Sequence, residues 1–205
     1  MKLTTVTMVT VDGVLQGLGG PEENRRGGFE RGGWQAAAWD EQAGTALRHI
    51  YQRADAFLFG RWTYELFAGY WGRTADPANP IAAALNGTPK YVASTTLTDP
   101  TWADTTVLGG DLAAAVAELK ARPGGEVQVH GSGVLVRWLL SQRLVDEITL
   151  FVAPVVLGQG ARLFPEDGED FALDLVSSRT TPQGVTIQVY RPGGRPVYGR
   201  ADARP

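Results

Sequence analysis

A strand, a turn of small residues, a helix and a second strand are predicted in succession within residues 127–164. Residues 127–130 are apolar and β-branched at alternate positions, as expected of a buried strand, and Gly131-Ser132-Gly133 follows directly. An apolar helix comes next, and then an apolar strand at residues 148–156 that leads into a glycine-rich turn. Two strands joined through a helix pair in parallel, so this order favours a parallel sheet covered by helices.

The Gly131-Ser132-Gly133 turn also indicates an anion site. Glycine lets the backbone approach a ligand closely, and the free N–H groups of the following helix point towards an anion. The same turn also forms for steric reasons alone, and it is not the Rossmann fingerprint, because Leu135 and Val136 occupy the later glycine positions. The turn therefore carries weight only together with other segments.

The rest of the chain continues the alternation of strands and helices. Further strands are predicted at residues 4–11, 56–59, 90–93, 105–108, 171–178 and 185–190. Further helices are predicted at residues 40–52, 62–70 and 77–85, the last with Asp76 as N-cap and Pro77 at its first position, and after Asp111. Residues 17–33 form a long loop without periodicity. We expect one α/β domain at residues 1–192, with a mixed but mostly parallel central sheet flanked by helices, and a disordered tail at 193–205.

Composition excludes several classes of function. The 205 residues carry a formal net charge of −3 and no cysteine, so neither nucleic acid binding nor disulfide or thiol chemistry is expected. His49 and His130 are far apart in the sequence and do not form a metal-binding pattern, so we expect no metal. The chain has no signal-peptide pattern and no apolar run of about 20 residues, so we expect a cytoplasmic protein without membrane contact.

Three turns are predicted at the carboxyl ends of strands, where ligands of such sheets bind. They are Gly60-Arg61-Trp62-Thr63, Ser94-Thr95-Thr96 and Gly131-Ser132-Gly133. Arg61 offers a planar cation suited to phosphate, although the first turn is equally an ordinary helix start with an exposed arginine. The hydroxyls of the second turn suit a ribose phosphate or serve as turn and cap residues. The coincidence of all three turns favours a nucleotide site.

Two carboxylates are candidates for catalysis. Asp12 could contact the substrate, but Asp12-Gly13 is also a common turn pair. Asp40 could be a buried acid, but acids in a first helical turn more often stabilise the helix dipole. His130 at a strand end is more often structural than catalytic. Because the chain has neither a nucleophile elbow nor a Walker A motif, we expect a cofactor that carries its own chemistry.

Six segments in a fixed order, within residues 3–190, carry a family resemblance. They are Thr10-Val11-Asp12-Gly13, the run from Leu58 to Glu65, the run from Lys90 to Ser94, Gly131-Ser132-Gly133, the run from Leu144 through Asp146-Glu147 to Pro154, and the run from Leu157-Gly158-Gln159-Gly160 to Leu163-Phe164. Together they resemble the dihydrofolate reductase-like superfamily, most closely the reductase domain of the bacterial riboflavin-biosynthesis deaminase–reductase. The chain departs from that family at Ser132 and His130, and it lacks the zinc-ligand pattern of the deaminase half.

The resemblance implies a sheet of about eight strands that binds NADPH, and a homodimer. It places Gly60, Arg61 and Thr63 at the pyrophosphate and 2′-phosphate, Ser94, Thr95 and Thr96 at the adenine ribose, Gly131, Ser132, Gly133, Val134 and Leu135 at the pyrophosphate and nicotinamide, and Val14, Leu15 and Gly17 at the nicotinamide. The implied reaction is hydride transfer from NADPH to a small heteroaromatic, ribosylamino-pyrimidine-like or pterin-like substrate, with Asp40 as the candidate proton donor.

Two other interpretations stay open. One is a nucleotide- or pterin-binding protein on the same fold without catalysis, because the sequence offers no secure proton donor. The other is an assembly subunit whose strand at residues 148–156 pairs across a dimer. Such a dimer is compatible with both the reductase and the binding protein.

Overall fold

A single sheet of eight strands runs through the computed structural model, which describes residues 1–74, 76 and 78–199. The strands are β1 (Lys2–Thr10), β2 (Ala54–Gly60), β3 (Lys90–Ala93), β4 (Thr105–Leu108), β5 (Glu126–His130), β6 (Glu147–Ala153), β7 (Leu173–Thr180) and β8 (Thr186–Pro192). The helices are α1 (Glu41–Tyr51), α2 (Arg61–Tyr70), α3 (Pro80–Gly87), α4 (Leu112–Ala121) and α5 (Gly133–Ser141). Two short 3₁₀ turns lie at Arg26–Gly28 and Trp71–Arg73.

The strand order across the sheet is β4-β3-β2-β5-β1-β6-β8-β7. The first six strands in this order pair in parallel, and β8 runs antiparallel to both β6 and β7. The predicted fold class, an α/β domain with a mixed and mostly parallel sheet flanked by helices, is therefore confirmed. The carboxyl ends of β1, β2, β3 and β5 consequently lie along one edge of the sheet.

Alternating side chains of the central strands divide the core into two layers. Phe57 and Phe59 of β2 pack with Leu47 and Tyr51 of α1 on one face. The intervening Leu58 packs with helices α4 and α5 on the other face, together with Val127 and Val129 of β5 and Val136 and Leu139 of α5. Because β2 is covered on both faces, its residues 56–59 form a continuous apolar run in the sequence. Strand β5 instead alternates its two valines with the buried polar residues Gln128 and His130.

Side-chain caps fix the start of three helices. Asp40 accepts a hydrogen bond from the backbone N–H of Ala43 in α1, and Asp111 does the same for α4. Helix α3 begins at Pro80, with Asn79 as its N-cap, and not at Pro77 with Asp76 as predicted. Both dipeptides combine a capping residue with proline, so the sequence offered two starts. Pro77 itself lies outside the described residues.

Strand β6 is buried and paired along both sides. It lies between β1 and β8, with registers that run from Thr4↔Glu147 to Thr10↔Ala153 on one side and from Ile148↔Tyr190 to Val152↔Thr186 on the other. The interpretation in which this apolar strand pairs across a dimer is therefore wrong, because its backbone groups are already used within the chain.

One buried aromatic ring packs the loop at residues 17–33 against the rest of the domain. Phe29 is almost completely buried, and its ring lies where a side-chain carbon on Gly17 or Gly160 would sit, at 2.6 and 2.8 Å. Two glycines far apart in the sequence thus leave room for a ring that fixes residues 17–33 against the domain.

The end of the chain beyond β8 contacts the segment that precedes β7. Ala172 and Gly193–Gly194 exchange backbone hydrogen bonds, and the Tyr198 hydroxyl donates to Asp170. Residues 200–205 lie outside the described part of the chain, so the disorder predicted for the tail stays a prediction. None of the helices in residues 1–74, 76 and 78–199 has the length and apolar character needed to cross a membrane.

Candidate functional site

A large cavity opens at the carboxyl ends of the parallel strands. Its volume is about 1890 Å³, well above the roughly 300–1,000 Å³ of a site for one drug-sized ligand. The cavity is lined by all the predicted cofactor residues except Val14: Leu15, Gly17, Gly60, Arg61, Thr63, Ser94, Thr95, Thr96, Gly131, Ser132, Gly133, Val134 and Leu135. Val14 is fully buried beside Phe29. The fold therefore brings the three predicted turns together.

The N-termini of α2 and α5 meet in this cavity and are bound to each other. The backbone N–H of Gly60 donates to the Ser132 hydroxyl at 3.0 Å, and the N–H of Ser132 donates to the Thr63 hydroxyl at 3.1 Å. Neither helix has a side-chain cap, although serine at the start of a helix usually caps it. The first N–H groups of both helices thus receive no hydrogen bond from an N-cap side chain, and both helix dipoles favour an anion there.

The turn before α5 has an unusual backbone. Gly131 and Ser132 both have positive φ angles, +58° and +49°. A left-handed conformation is easy for glycine but costs a non-glycine residue energy, and it persists where surrounding contacts enforce it. At Ser132 those contacts are the two hydrogen bonds to Gly60 and Thr63, so the linkage of the helix ends maintains the turn.

Arg61 is the exposed cation at the start of α2. Its Nε lies 2.7 Å from the Glu65 carboxylate, and one of its terminal nitrogens donates to the Thr96 hydroxyl at 2.6 Å. The guanidinium therefore spans the predicted first and second turns. The Ser94 hydroxyl accepts hydrogen bonds from the N–H groups of Thr96 and Leu97, so it acts as the turn residue that the sequence also allowed.

The loop at residues 17–33 lies across the cavity. The side chain of Gln16 donates to the carbonyls of Asn24 and Arg26 and accepts from the N–H of Ala161. The Arg26 guanidinium lies 4.1 Å above the ring of Trp62 in α2, which is a cation–π contact. The loop is therefore held by Gln16 on one side and by Trp62 of α2 on the other, and it lines the cavity between them.

Asp12 does not line this cavity. Its carboxylate accepts hydrogen bonds from the Thr10 hydroxyl and from the N–H groups of Leu157 and Gly158. The hydrogen bond from Thr10, assisted by the two from the backbone, lowers the pKa of Asp12 to about 2. In the structure this carboxylate ties the end of β1 to the turn after β6.

Protonation of Asp12 at low pH should weaken its hydrogen bonds to the turn after β6. The pKa of Asp12 falls from 3.8 to about 2 on folding, so its contribution is complete above about pH 4 and is lost as the pH falls towards 2. The side chain is 17% exposed and solvent screens part of the interaction, so the shift corresponds to about 1 kcal/mol. Urea unfolding between pH 6 and pH 2 should show a smaller loss of stability in Asp12→Asn than in the wild type, by about that amount. Equal losses in both proteins would show that Asp12 does not stabilise the fold in this way.

Asp40 also lies outside the cavity lining. Besides capping α1, it accepts a hydrogen bond from the backbone N–H of Gln183 at 2.9 Å. Burial alone would raise the pKa of Asp40, but the hydrogen bonds from Ala43 and Gln183 outweigh it and hold the pKa below its usual value. Both observed roles of Asp40 are structural. The carboxylates that do line the cavity among the described residues are Glu23 and Asp111.

The deeper part of the cavity is aromatic and apolar, and apart from Trp39, which flanks the long loop, the sequence does not predict its residues. Its wall contains Met8, Trp39, Leu47, Phe67, Trp71 and Ile81. Tyr51 and His130 lie in the same part, with their rings stacked 4.1 Å apart. These residues come from β1, β5, α1, α2 and α3, from the segment before α1 and from the 3₁₀ turn after α2. Each has the sequence signature of ordinary core, so only the three-dimensional arrangement identifies them as a cavity wall.

Known proteins match this chain along most of its length. A family model described as the RibD C-terminal domain matches residues 1–187. The uncharacterized protein YyaP of Bacillus subtilis (strain 168) is 27% identical over 188 residues, covering 91% of this chain and 92% of YyaP. The uncharacterized protein YwjB of the same organism is 27% identical over 146 residues, covering 69% of this chain and 76% of YwjB.

Two solved structures share the fold. The structure of a candidate riboflavin biosynthesis protein from Shewanella sp. PV-4 superposes with a TM-score of 0.72 at 21% identity, covering 94% of this chain and 99% of that one. A pyrimidine reductase-like protein from Corynebacterium diphtheriae superposes with a TM-score of 0.62 at 16% identity, covering 93% and 91%. Both likenesses extend over the sheet and its helices, which is the dihydrofolate reductase-like fold.

Proposed function

The chain belongs to the RibD C-terminal domain family, a family of reductase type, and we propose that it is an NADPH-dependent reductase of a small heteroaromatic substrate. The observation that carries this proposal is the pair of uncapped helix N-termini, joined through Ser132 and Thr63, at the edge of a cavity large enough for two ligands. A diphosphate needs several N–H donors at one place, and two helix ends facing one cavity supply them.

The remaining residues at this edge suit the rest of a dinucleotide. The exposed guanidinium of Arg61 is suited to a 2′-phosphate, with the hydroxyls of Thr95 and Thr96 next to it. Leu15 and Gly17 also line the cavity, and the apolar side chain of Leu15 lies next to Gly133 of the glycine turn. When bound, NADPH would supply the hydride, and the protein would supply binding, orientation and exclusion of water.

The aromatic wall determines what kind of acceptor fits. Trp39, Phe67 and Trp71 offer flat apolar surfaces, which favour a planar ring over an extended or charged substrate. The loop at residues 17–33 lies over the cavity and would keep water out during hydride transfer. The reduced product also needs a proton. Glu23 lines the cavity, and burial raises the pKa of its carboxyl, whereas the described hydrogen bonds of Asp12 and Asp40 are structural.

One observation favours a second function, that of a nucleotide- or pterin-binding protein without catalysis. Both carboxylates that the sequence nominated for catalysis, Asp12 and Asp40, lie outside the cavity lining and are engaged in structural hydrogen bonds. A cavity that binds both ligands but lacks an efficient proton donor would bind without turnover.

Consumption of NADPH separates the two functions. The purified protein is mixed with NADPH and, one at a time, with oxidised pyrimidines, pterins and other heteroaromatic compounds, and the nicotinamide absorbance is followed. We expect at least one compound to be reduced with the consumption of one NADPH per product. Binding of NADPH and of these compounds without any consumption would favour the binding protein.

Arg61→Ala should change the choice of cofactor. Loss of a charge-assisted contact to the 2′-phosphate should weaken NADPH binding about tenfold or more, while NADH, which lacks this phosphate, should lose less than about twofold. Arg73→Ala is the matched control, because Arg73 is an exposed arginine outside the cavity lining. Fluorescence titration of the three proteins with both cofactors measures the effect. Equal losses for NADPH and NADH in Arg61→Ala would remove Arg61 from this role.

A further inference from the structure

The floor of the deeper cavity carries two polar groups among apolar side chains. His130, the last residue of β5, is 3% exposed, and Tyr51, the last residue of α1, is 5% exposed. Their rings are stacked with an interplanar angle of 16°, and both residues line the cavity. The glycine turn that begins at Gly131 follows His130 directly, so this floor adjoins the proposed cofactor edge.

Gln128 determines which nitrogen of His130 carries the proton. The amide nitrogen of Gln128 donates to the backbone carbonyl of Ile50 at 2.6 Å and to the Glu126 carboxylate at 2.8 Å. The reverse orientation would turn the amide oxygen towards these two acceptors, so the amide is fixed. Its oxygen faces Nε2 of His130 at 3.0 Å, and Nε2 must therefore be the protonated nitrogen.

The other ring nitrogen, Nδ1, is then a hydrogen-bond acceptor on a residue that lines the cavity. Within the described part of the chain, neither Nδ1 of His130 nor the Tyr51 hydroxyl has a hydrogen-bond partner. The fully enclosed side-chain polar atoms without a partner are the hydroxyls of Thr5, Thr7 and Thr181. The Nδ1 atom of His130 and the Tyr51 hydroxyl are not in this set, so both are accessible to a small ligand. Burial lowers the pKa of His130 to about 3, so the imidazole is neutral in ordinary buffers.

We propose that His130 selects the substrate through Nδ1, which accepts a hydrogen bond from a ring N–H of an uncharged planar heterocycle lying between the aromatic walls. A heterocycle that presents only acceptors or N-methyl groups at this position is rejected, because Nδ1 then stays buried without a donor. The Tyr51 ring holds the imidazole in place by stacking. This inference rests on the proposed reductase function and identifies the substrate feature that the same cavity recognises.

Two pteridines form a matched pair of probes. Lumazine has ring N–H donors, whereas 1,3-dimethyllumazine has the same bicyclic ring with both of these donors methylated. Affinities for both are measured by fluorescence titration in the wild type, in His130→Leu and in His49→Leu, whose histidine is exposed and outside the cavity lining. NADPH affinity and thermal unfolding are measured on the same samples.

The wild type and His49→Leu should prefer lumazine about tenfold, and this preference should fall to about twofold or less in His130→Leu. An unchanged preference in a folded His130→Leu that binds NADPH overturns the role of His130. Binding of NADPH without binding of lumazine overturns this inference alone, whereas failure to bind both ligands overturns the proposed function as well.

A measurement on the wild type covers the case in which His130→Leu does not fold. The chain has two histidines, so ¹⁵N-labelled histidine gives two sets of ring signals. We expect His130 to be protonated at Nε2 only, to keep that form between about pH 5 and pH 8, and to shift its Nδ1 signal with lumazine but not with 1,3-dimethyllumazine. A proton on Nδ1, or an Nδ1 signal that lumazine does not move, contradicts the proposal.

Discussion

Gly131→Val should weaken NADPH binding at least about 100-fold while the protein remains folded. A side-chain carbon at residue 131 would lie 3.6 Å from the methyl carbon and 3.7 Å from the hydroxyl of Thr63. That first carbon fits, but the two further methyl groups of valine must displace Thr63, and the positive φ of +58° is strained for a β-branched residue. The hydrogen bond between Thr63 and Ser132 should break, and the N–H groups of α2 and α5 should no longer converge.

The size of this effect follows from the hydrogen bonds that the variant can no longer donate to the cofactor. Two charge-assisted hydrogen bonds to a diphosphate are together worth about 3 kcal/mol or more, which corresponds to about 100-fold in affinity. Gly194→Val is the control, because Gly194 also has a positive φ, of +82°, with open space around it and no part in this cavity. Calorimetric titration should show near-normal NADPH affinity in the control. Normal affinity in a folded Gly131→Val would exclude the two helix ends as the diphosphate site.

Gly160→Ala should destabilise the fold by about 3 kcal/mol or more. Gly160 has a φ of +111°, and an added Cβ would lie 2.8 Å from Phe29 and 2.8 Å from Val14. Both neighbours are almost fully buried, so neither can move away without opening space elsewhere. The same shift would release Phe29, which holds the loop over the cavity.

Two effects contribute to this loss, the backbone strain of a positive φ and the crowding of the added Cβ, and Gly13→Ala measures the first without the second. Gly13 has a φ of +79° but no atom within 4 Å of an added Cβ, so it reports the backbone strain alone, about 1 kcal/mol. Urea unfolding of both variants and the wild type measures the difference. Similar losses in Gly160→Ala and Gly13→Ala would show that the packing of Phe29 and Val14 against Gly160 adds nothing.

Local signals were sufficient to predict most of the fold. Strand β3 and strand β4 have the bounds that their apolar runs and flanking turns predict, and Asp111 caps α4 as expected. The predicted start of α3 was wrong because Asp76-Pro77 and Asn79-Pro80 carry the same local chemistry, so the sequence alone does not decide between them. The neighbours of β6 could not be read from its composition, since an apolar run is equally suited to pairing within the chain or with another copy.

The edge of the site was predictable, and its interior was not. Glycine and hydroxyl turns at strand ends act through their backbone, so their place in the sequence already determines their place in a parallel sheet. The structural use of Asp12, by contrast, depends on N–H groups about 145 residues further along the chain. The stacking of the His130 and Tyr51 rings depends in the same way on how α1 packs against β5. Only long-range packing brings such groups together.

Titration of the purified protein with NADPH and then with NADH tests most directly whether the linked ends of α2 and α5 form a cofactor site. We expect one NADPH to bind per chain, more tightly than NADH, and we expect Gly131→Val to weaken this binding at least about 100-fold. Failure of the folded wild type to bind either cofactor would contradict the proposed reductase function.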